Sequence, residues 1–424
     1  MRSALADDEL RVGLFSQWYD PEPTIIPAVL ARELTRRHHS VKVLTGFPNY
    51  PEGRIYDGYR QAPRTDEDLS GVTVRRVALF PSHGPSMVGR LANYTTFALS
   101  ASVWGPSWFN GIDALWVSNS PPTVGLPTWL IQLGRRPRVV LHMMDLWPES
   151  LVASGLAGSM LKWPGVQGGI DRWLAMTYRV ADSIACTSRK QIEILTDRGV
   201  PPEKLSYVPI WVDETIFRPS DRDDLLADQL GVTGKMVLLY AGTIGEPQGL
   251  DILVEVCGRL RDEPRFHCLV AGTGSAEARL RAHAADALLT NISFLGRWPS
   301  ADMTRLMSVG DIHFASLSAD PIAEIAMPSK VPASLACGKP MILAMHGDAA
   351  DIVARSGAGW TCEPGDAAQL EAIIREGLQA DVCKLQQMGK HAREAYEAEF
   401  AVRIGVDRVE RLLAGQTVGA DDGD

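Results

Sequence analysis

Short apolar runs recur along the chain, and most are followed by a polar loop and then a stretch with helical spacing. Leu10–Phe15 reads as a first buried parallel strand, a loop over 16–27 follows, and a helix is predicted from Ala28 to Arg37, with Val41–Leu44 as the second strand. Further strands are expected at 114–117, 138–141 and 183–187, and a helix at 189–198. A helix is also expected from Val88 to Ser102, with Leu91, Phe97 and Leu99 among its apolar positions. The same rhythm restarts at Met236–Tyr240 and continues through apolar runs at 267–271, 292–295, 312–315 and 341–345. One long helical segment, about 385–414, closes the pattern. Alternating strand and helix in two series predicts two doubly wound α/β domains, whose ligands sit at the carboxyl ends of strands.

A length of 424 residues also favours two domains. The net charge of −9 argues against a nucleic-acid partner, which needs a basic surface. Six cysteines without a CxxC pair read as buried free thiols, and no metal-ligand cluster is apparent. No signal-peptide core and no run of about 20 apolar residues is found, so a cytoplasmic protein is expected. The end, 415–424, reads as a disordered acidic tail.

Candidate chemistry concentrates in 314–348. A strand leads into a loop with Asp320 and Glu324, and Pro328-Ser329-Lys330 then opens a helix. Ser329 is an expected N-cap hydroxyl, and Lys330 places a cation beside free backbone amides, which suits a phosphate group. An exposed lysine on an ordinary helix-opening turn is the plainer alternative. In the second series, Gly242 and Gly245 permit close backbone approach, with a helix predicted near Gly249. The later GTGS turn lacks the third glycine of a dinucleotide fingerprint, so a nicotinamide enzyme is not indicated. His142 directly follows a predicted strand. Trp104, Trp108 and Phe109, beyond the predicted helix, are either packing residues or a membrane-interface contact.

Four stretches, TGFPNYP (45–51), DLWPES (145–150), PIWVD (209–213) and PSKVPASLACGKP (328–340), resemble family-4 retaining glycosyltransferases. The likeness is to the branch whose donor helix opens with Pro-Ser-Lys, which includes enzymes of bacterial polysaccharide synthesis, and it runs from Val12 to about Leu413. It implies the GT-B fold: two facing Rossmann-like domains with an interdomain cleft. The acceptor domain would span 1–214 and the donor domain 215–390, with a terminal helix (391–414) returning to the first domain. The implied reaction moves a sugar, a hexose or N-acetylhexosamine, from a nucleotide diphosphate to a hydroxyl with retained configuration. The donor is expected to be UDP-linked, and the reaction to need no metal or other cofactor. Glycan, lipid-linked and small-molecule acceptors all remain open, as does peripheral contact with the inner membrane face.

By the same resemblance, His142 and Glu324 are the catalytic candidates. Gly242, Thr243, Gly245, Gln248, Arg297, Ser329, Lys330 and Asp348 would line the donor, and Thr24, Tyr50 and Asp145 the acceptor, with capping of a helix beginning at Pro148 as the other reading of Asp145. There are departures. Ile325 and Ala333 stand where many members carry the paired glutamates of Glu-x7-Glu. Thr243 and Gln248 fall where an Arg/Lys pair is common, so Lys330 is expected to carry more of the diphosphate charge. A catalytically weak homologue serving as a nucleotide-sugar-binding subunit is the competing reading.

Overall fold

The computed structural model describes residues 9–84, 86–134, 136–150, 165–319, 324–325 and 327–418. The chain divides into two units: one holds the residues up to Pro209 and the stretch from Arg403, the other Ile210–Val402.

In the first unit, β1 (Arg11–Phe15), α1 (Ile25–Arg36) and β2 (Ser40–Gly46) precede a hairpin of β3 (Arg64–Leu69) and β4 (Val72–Val77). Then follow α2 (Met87–Trp108), β5 (Ala114–Ser118), α3 (Gly125–Gln132) and β6 (Arg138–Met143). After them come α4 (Val166–Val180), β7 (Ser183–Cys186), α5 (Arg189–Asp197) and β8 (Leu205–Tyr207). The eight strands lie in the order β3-β4-β2-β1-β5-β6-β7-β8, parallel except for β3 against β4. Central strands are apolar because both faces are covered: Val12, Leu14 and Phe15 of β1 and Leu115, Trp116 and Val117 of β5 have no exposed surface. Since β1 is flanked by β2 on one side and β5 on the other, the chain reverses its winding between β1 and β5. In a doubly wound sheet that switch point opens a crevice for ligands.

The second unit contains α6 (Asp224–Gln229), β9 (Met236–Ala241), α7 (Asp251–Arg259), β10 (Phe266–Ala271), α8 (Glu277–Asp286), β11 (Ile292–Gly296) and α9 (Met303–Val309). These lead to β12 (Ile312–Ser316), α10 (Lys330–Ala336), β13 (Met341–Ala344), α11 (Asp348–Ser356), β14 (Gly359–Cys362), α12 (Ala367–Gln379) and α13 (Val382–Glu399). The six parallel strands run β11-β10-β9-β12-β13-β14, so the switch point lies between β9 and β12. Leu238, Tyr240, Val270, Phe314 and Ile342 form its core with Leu253 and Val256 of α7.

Three expectations are corrected. The predicted single terminal helix is two, because it breaks at Phe400–Ala401 and resumes as α14 (Val402–Leu413). That last helix belongs to the first unit, where Arg408 donates to the Tyr207 carbonyl (3.2 Å) and Glu410 bonds His39 (2.7 Å). Residues 415–418, assigned to a disordered tail, are ordered: Ser206 donates to the Val418 carbonyl and Val418 is buried. The remainder of that tail lies outside the described residues. Finally, α2 continues to Trp108, so Trp104 and Trp108 are inside the helix. Neither is a free anchor, since Arg64 stacks on Trp104 (4.5 Å) and Arg75 on Trp108 (4.1 Å), whose indole donates to the Val43 carbonyl; Phe109 is buried.

Candidate functional site

At the switch point of the second sheet, the chain leaves β9 at Gly242, in a backbone conformation (φ +151°) that favours glycine. The Lys330 side chain crosses this glycine: a Cβ added there would overlap Lys330 Cε and lie 2.9 Å from Nζ. The ammonium also sits 5.3 Å from the Tyr240 ring centre. Burial lowers the Lys330 pKa to about 8, so at neutral pH it remains mostly charged yet is poorly hydrated.

The loop after β9 is pinned from both sides. Ile244 donates to the Thr273 carbonyl (3.0 Å), and no side chain fits at Gly272 without overlapping the Gly242 carbonyl. Tyr240 donates its hydroxyl to the Thr243 carbonyl. Gln248 folds back on the loop, its Oε1 accepting from the Gly245 amide (3.0 Å). Its carbonyl accepts from Ser316 (2.6 Å), which ties this loop to the end of β12. The result is a rigid glycine turn with a single desolvated cation laid across it.

Ser329 and His142 do not behave as expected. Ser329 has helical backbone (φ −59°, ψ −18°) and makes no side-chain cap, because the hydroxyl reaches the following amides only from an extended N-cap. It is exposed beside Lys330. His142 lies inside β6 and not beyond it, fully buried between β5 and β7. Its Nδ1 accepts from the Trp116 indole (3.2 Å), and burial drops its pKa to about 3. The imidazole is therefore neutral and held by Trp116 at the carboxyl end of β6.

The remaining donor candidates separate by position. Glu324 is exposed, and its backbone packs against Gly347, where an added Cβ would lie 2.6 Å from the Glu324 carbonyl oxygen. This brings Glu324 beside Asp348, the first residue of α11. Arg297 is exposed just past β11, two strands along the sheet from β9. Ile325 and Ala333, at the two glutamate positions, are buried. Asp320 lies outside the described residues. Among the described residues no group of three or more His, Cys, Asp or Glu could hold a metal ion.

On the first unit, Thr24 precedes α1 without capping it, and its buried Oγ1 has no hydrogen-bond partner. Asp145 accepts from the Ser120 hydroxyl (2.5 Å), and burial raises its pKa. The Tyr50 amide donates to Glu22 (2.8 Å). Sequence reasoning passed over Glu22, whose carboxylate takes the amides of Tyr19, Asn49 and Tyr50 and whose pKa burial pushes up to about 7. The signal available was a lone acid between two prolines, Pro21 and Pro23, in a strand-end loop.

Two doubly wound sheets, each with a glycine- or polar-loop site at its switch point, are the architecture of GT-B glycosyltransferases. Residues 27–211 match the glycosyl transferase 4-like domain, and residues 221–395 match glycosyl transferases group 1. The two matches together take in most of the chain, and the protein belongs to this glycosyltransferase family.

It is 28% identical to the putative colanic acid biosynthesis glycosyl transferase WcaI of Escherichia coli (strain K12), over 92% of this chain and 95% of that protein. It is 24% identical to the probable glycosyltransferase WbjE of Pseudomonas aeruginosa, over 69% and 72% of the two chains. Among solved structures, Anabaena Alr3699/HepE in complex with UDP and glucose aligns with a TM-score of 0.71 at 17% identity, covering 96% of this chain and 100% of that one. WaaG, a glycosyltransferase involved in lipopolysaccharide biosynthesis, aligns at 0.66 and 15%, covering 95% and 100%. At these identities the structures speak to the fold alone.

Proposed function

We propose that the protein is a retaining glycosyltransferase of polysaccharide synthesis that uses a UDP-linked hexose or N-acetylhexosamine. The observation that carries this reading is Lys330 lying across Gly242 at the switch point of the second sheet. A leaving diphosphate develops charge as the glycosidic bond breaks, and a fixed, desolvated ammonium stabilises that charge strongly. The Gly242–Gly245 turn presents backbone to the same place, Ser329 adds a hydroxyl, and Glu324 with Asp348 meets sugar or ribose hydroxyls. Arg297 serves the nucleotide end. The reaction needs no resident metal, Lys330 supplying the positive charge.

Thr24, Tyr50 and Asp145 would serve the acceptor, a glycan in free or lipid-linked form. Peripheral membrane contact at the cytoplasmic face is carried by exposed Val88, Leu91, Leu99 and Val103 of α2 and not by the tryptophans. No helix among the described residues is long and apolar enough to cross a membrane. One observation favours the binding-subunit reading: the buried Ile325 and Ala333 leave the glutamate pair absent.

Thermal unfolding with UDP, GDP, dTDP and ADP tests the donor site, because a ligand that binds only the folded state raises Tm. A selective rise with UDP, abolished in Lys330→Ala and unaffected by EDTA, is expected. No response to any diphosphate removes the donor site. A UDP response without turnover of any UDP-sugar, even with crude acceptor pools, favours the binding subunit.

A further inference from the structure

A cavity of about 740 Å³ lies in the first unit between α4 and the turn that joins α5 to β8. None of its lining residues belongs to the loops at the β1–β5 switch point. One wall is a stripe of α4: Gln167, Asp171, Leu174, Ala175 and Tyr178 recur at helical spacing and so share a face. The other wall is the turn after α5, which brings Arg198 and Val200, with Lys204 just ahead of β8. The volume falls within the range of about 300–1,000 Å³ that small-molecule sites occupy.

The cavity is graded from polar to cationic along α4. Asp171 and Arg179 are separated by about 12 Å of helix, with apolar Leu174 and Ala175 between them. At the Arg179 end, Lys204 donates to the carbonyls of Ala181 (2.7 Å) and Arg179 (3.4 Å). Its charge thereby offsets the negative end of the α4 dipole, and one of its three N–H groups is left over. The Arg179 side chain is exposed, and neither it nor Lys204 pairs with an acid among the described residues. Arg198 donates to the Trp147 carbonyl (2.8 Å), pairs with Glu149 and acts electrostatically on the Tyr178 oxygen. Tyr178 is the unexplained group. It is 5% exposed, yet its buried hydroxyl has no hydrogen-bond partner among the described residues. A buried O–H is costly unless bonded, so this wall lacks an acceptor.

We propose that this cavity is a binding site for a small organic phosphate, separate from the donor and acceptor regions. The phosphate is held by the Tyr178 hydroxyl and the Arg179 guanidinium, with Lys204 and Arg198 adding positive charge, and the apolar body lies on Leu174, Ala175 and Val200. A phosphate oxygen supplies the acceptor that the Tyr178 hydroxyl lacks, through a charge-assisted bond. Two cations without an acid opposite them match a dianion, whereas a carboxylate leaves one charge unbalanced. The polar far end, Gln167 and Asp171, turns away a long acyl chain, which favours a soluble phosphate over a lipid headgroup. The site stands whether or not the donor reading does.

Isothermal titration with phenyl phosphate, inorganic phosphate and benzyl alcohol tests the site in the full chain carrying Lys330→Met, which keeps the probes off the proposed donor site. Phenyl phosphate should bind about tenfold more tightly than either fragment, because only it offers both the charge and the apolar body. Arg179→Gln and Tyr178→Phe should each weaken it about tenfold. Ala175→Trp, which fills the cavity from an exposed position, should abolish binding. Tyr178→Phe removes one hydroxyl and Arg179 is exposed, so both variants should keep the parent's Tm and carry the test should Ala175→Trp fail to fold. The proposal is overturned if phenyl phosphate does not bind, if it binds no better than inorganic phosphate, or if the variants bind it as the parent does.

Discussion

Donor binding should weaken with rising pH through one residue, Lys330. Burial holds its ammonium at about 8, where an ordinary lysine titrates near 10.4. A bound diphosphate returns the hydration that burial removed, and the ammonium regains its proton affinity. One proton is then taken up per diphosphate bound at pH values between the free and bound pKa. The association constant should fall about tenfold per pH unit from about pH 8 upward, reaching about a hundredfold by pH 10. That is about 3 kcal/mol, at the upper end of the range for a single charge-assisted hydrogen bond. The free protein responds with the opposite sign. Its folded state holds this proton less tightly than the unfolded chain does, so the stability contribution of Lys330 rises with pH between about 8 and 10.4. Isothermal titration with UDP, in buffers of different ionisation enthalpy, reads both affinity and proton uptake. Lys330→Met should bind about a hundredfold more weakly at neutral pH and lose the pH dependence. An affinity that stays flat up to about pH 10, or a variant that keeps the parent's slope, would refute the placement of the diphosphate on Lys330.

Gly242→Ala should cost about 1–3 kcal/mol in urea unfolding, from its backbone conformation, and should also reduce the UDP shift, because the new methyl displaces Lys330. Gly258, inside α7, has nothing within 4 Å of an added Cβ, so Gly258→Ala should stabilise by roughly 0.5–1 kcal/mol in the same assay. Trp116→Phe leaves the buried Nδ1 of His142 without its donor and should cost about 1–3 kcal/mol; a Tm equal to the parent's would mean the bond contributes nothing. Arg76, almost wholly buried, holds Glu67 and the carbonyls of Gly46 and Asp20, so Arg76→Met should cost about 3 kcal/mol, read by chemical denaturation.

Strands covered on both faces were legible because a short apolar run such as Val12–Phe15, bounded by polar loops, is the pattern that burial on both faces demands. The hairpin of β3 and β4 was not, since Arg64–Leu69 is a charged run at a sheet edge, and the inward Arg75 and Arg76 hide the alternation of β4. Its turn was nonetheless written in Ser70-Gly71, both with positive φ, as a two-residue hairpin requires. The helix predicted to end at Ser102 continues to Trp108, with Pro106 inside its last turn. At the candidate site, Gly242 and Lys330 were each singled out, whereas their contact depends on β9 and β12 being neighbours, a property of strand order that no local pattern encodes. His142 was expected just past its strand, but the strand extends one residue beyond it, so its ring is buried on one face of the sheet.

The departures from the family pattern bear on how the proposed donor site handles charge. Many members place an Arg/Lys pair on the loop after the first strand of this domain; here that loop is uncharged at Thr243 and Gln248, and Gln248 Oε1 accepts from the Gly245 amide. The nearest acid on it, Glu246, is tied by Arg279 (2.9 Å), which also pairs with Asp251, so neither the acid nor the arginine is left over for a ligand. Arg297 stands two strands away. The positive charge for a diphosphate therefore falls to Lys330. A single ammonium can meet that demand because it is desolvated: the Coulomb energy of a charge pair grows as the effective dielectric falls, whereas exposed cations lose most of theirs to water and salt. This arrangement exchanges redundancy for strength. Donor binding in this chain should be far more sensitive to loss of Lys330, and less sensitive to ionic strength, than in relatives that spread the charge over exposed side chains.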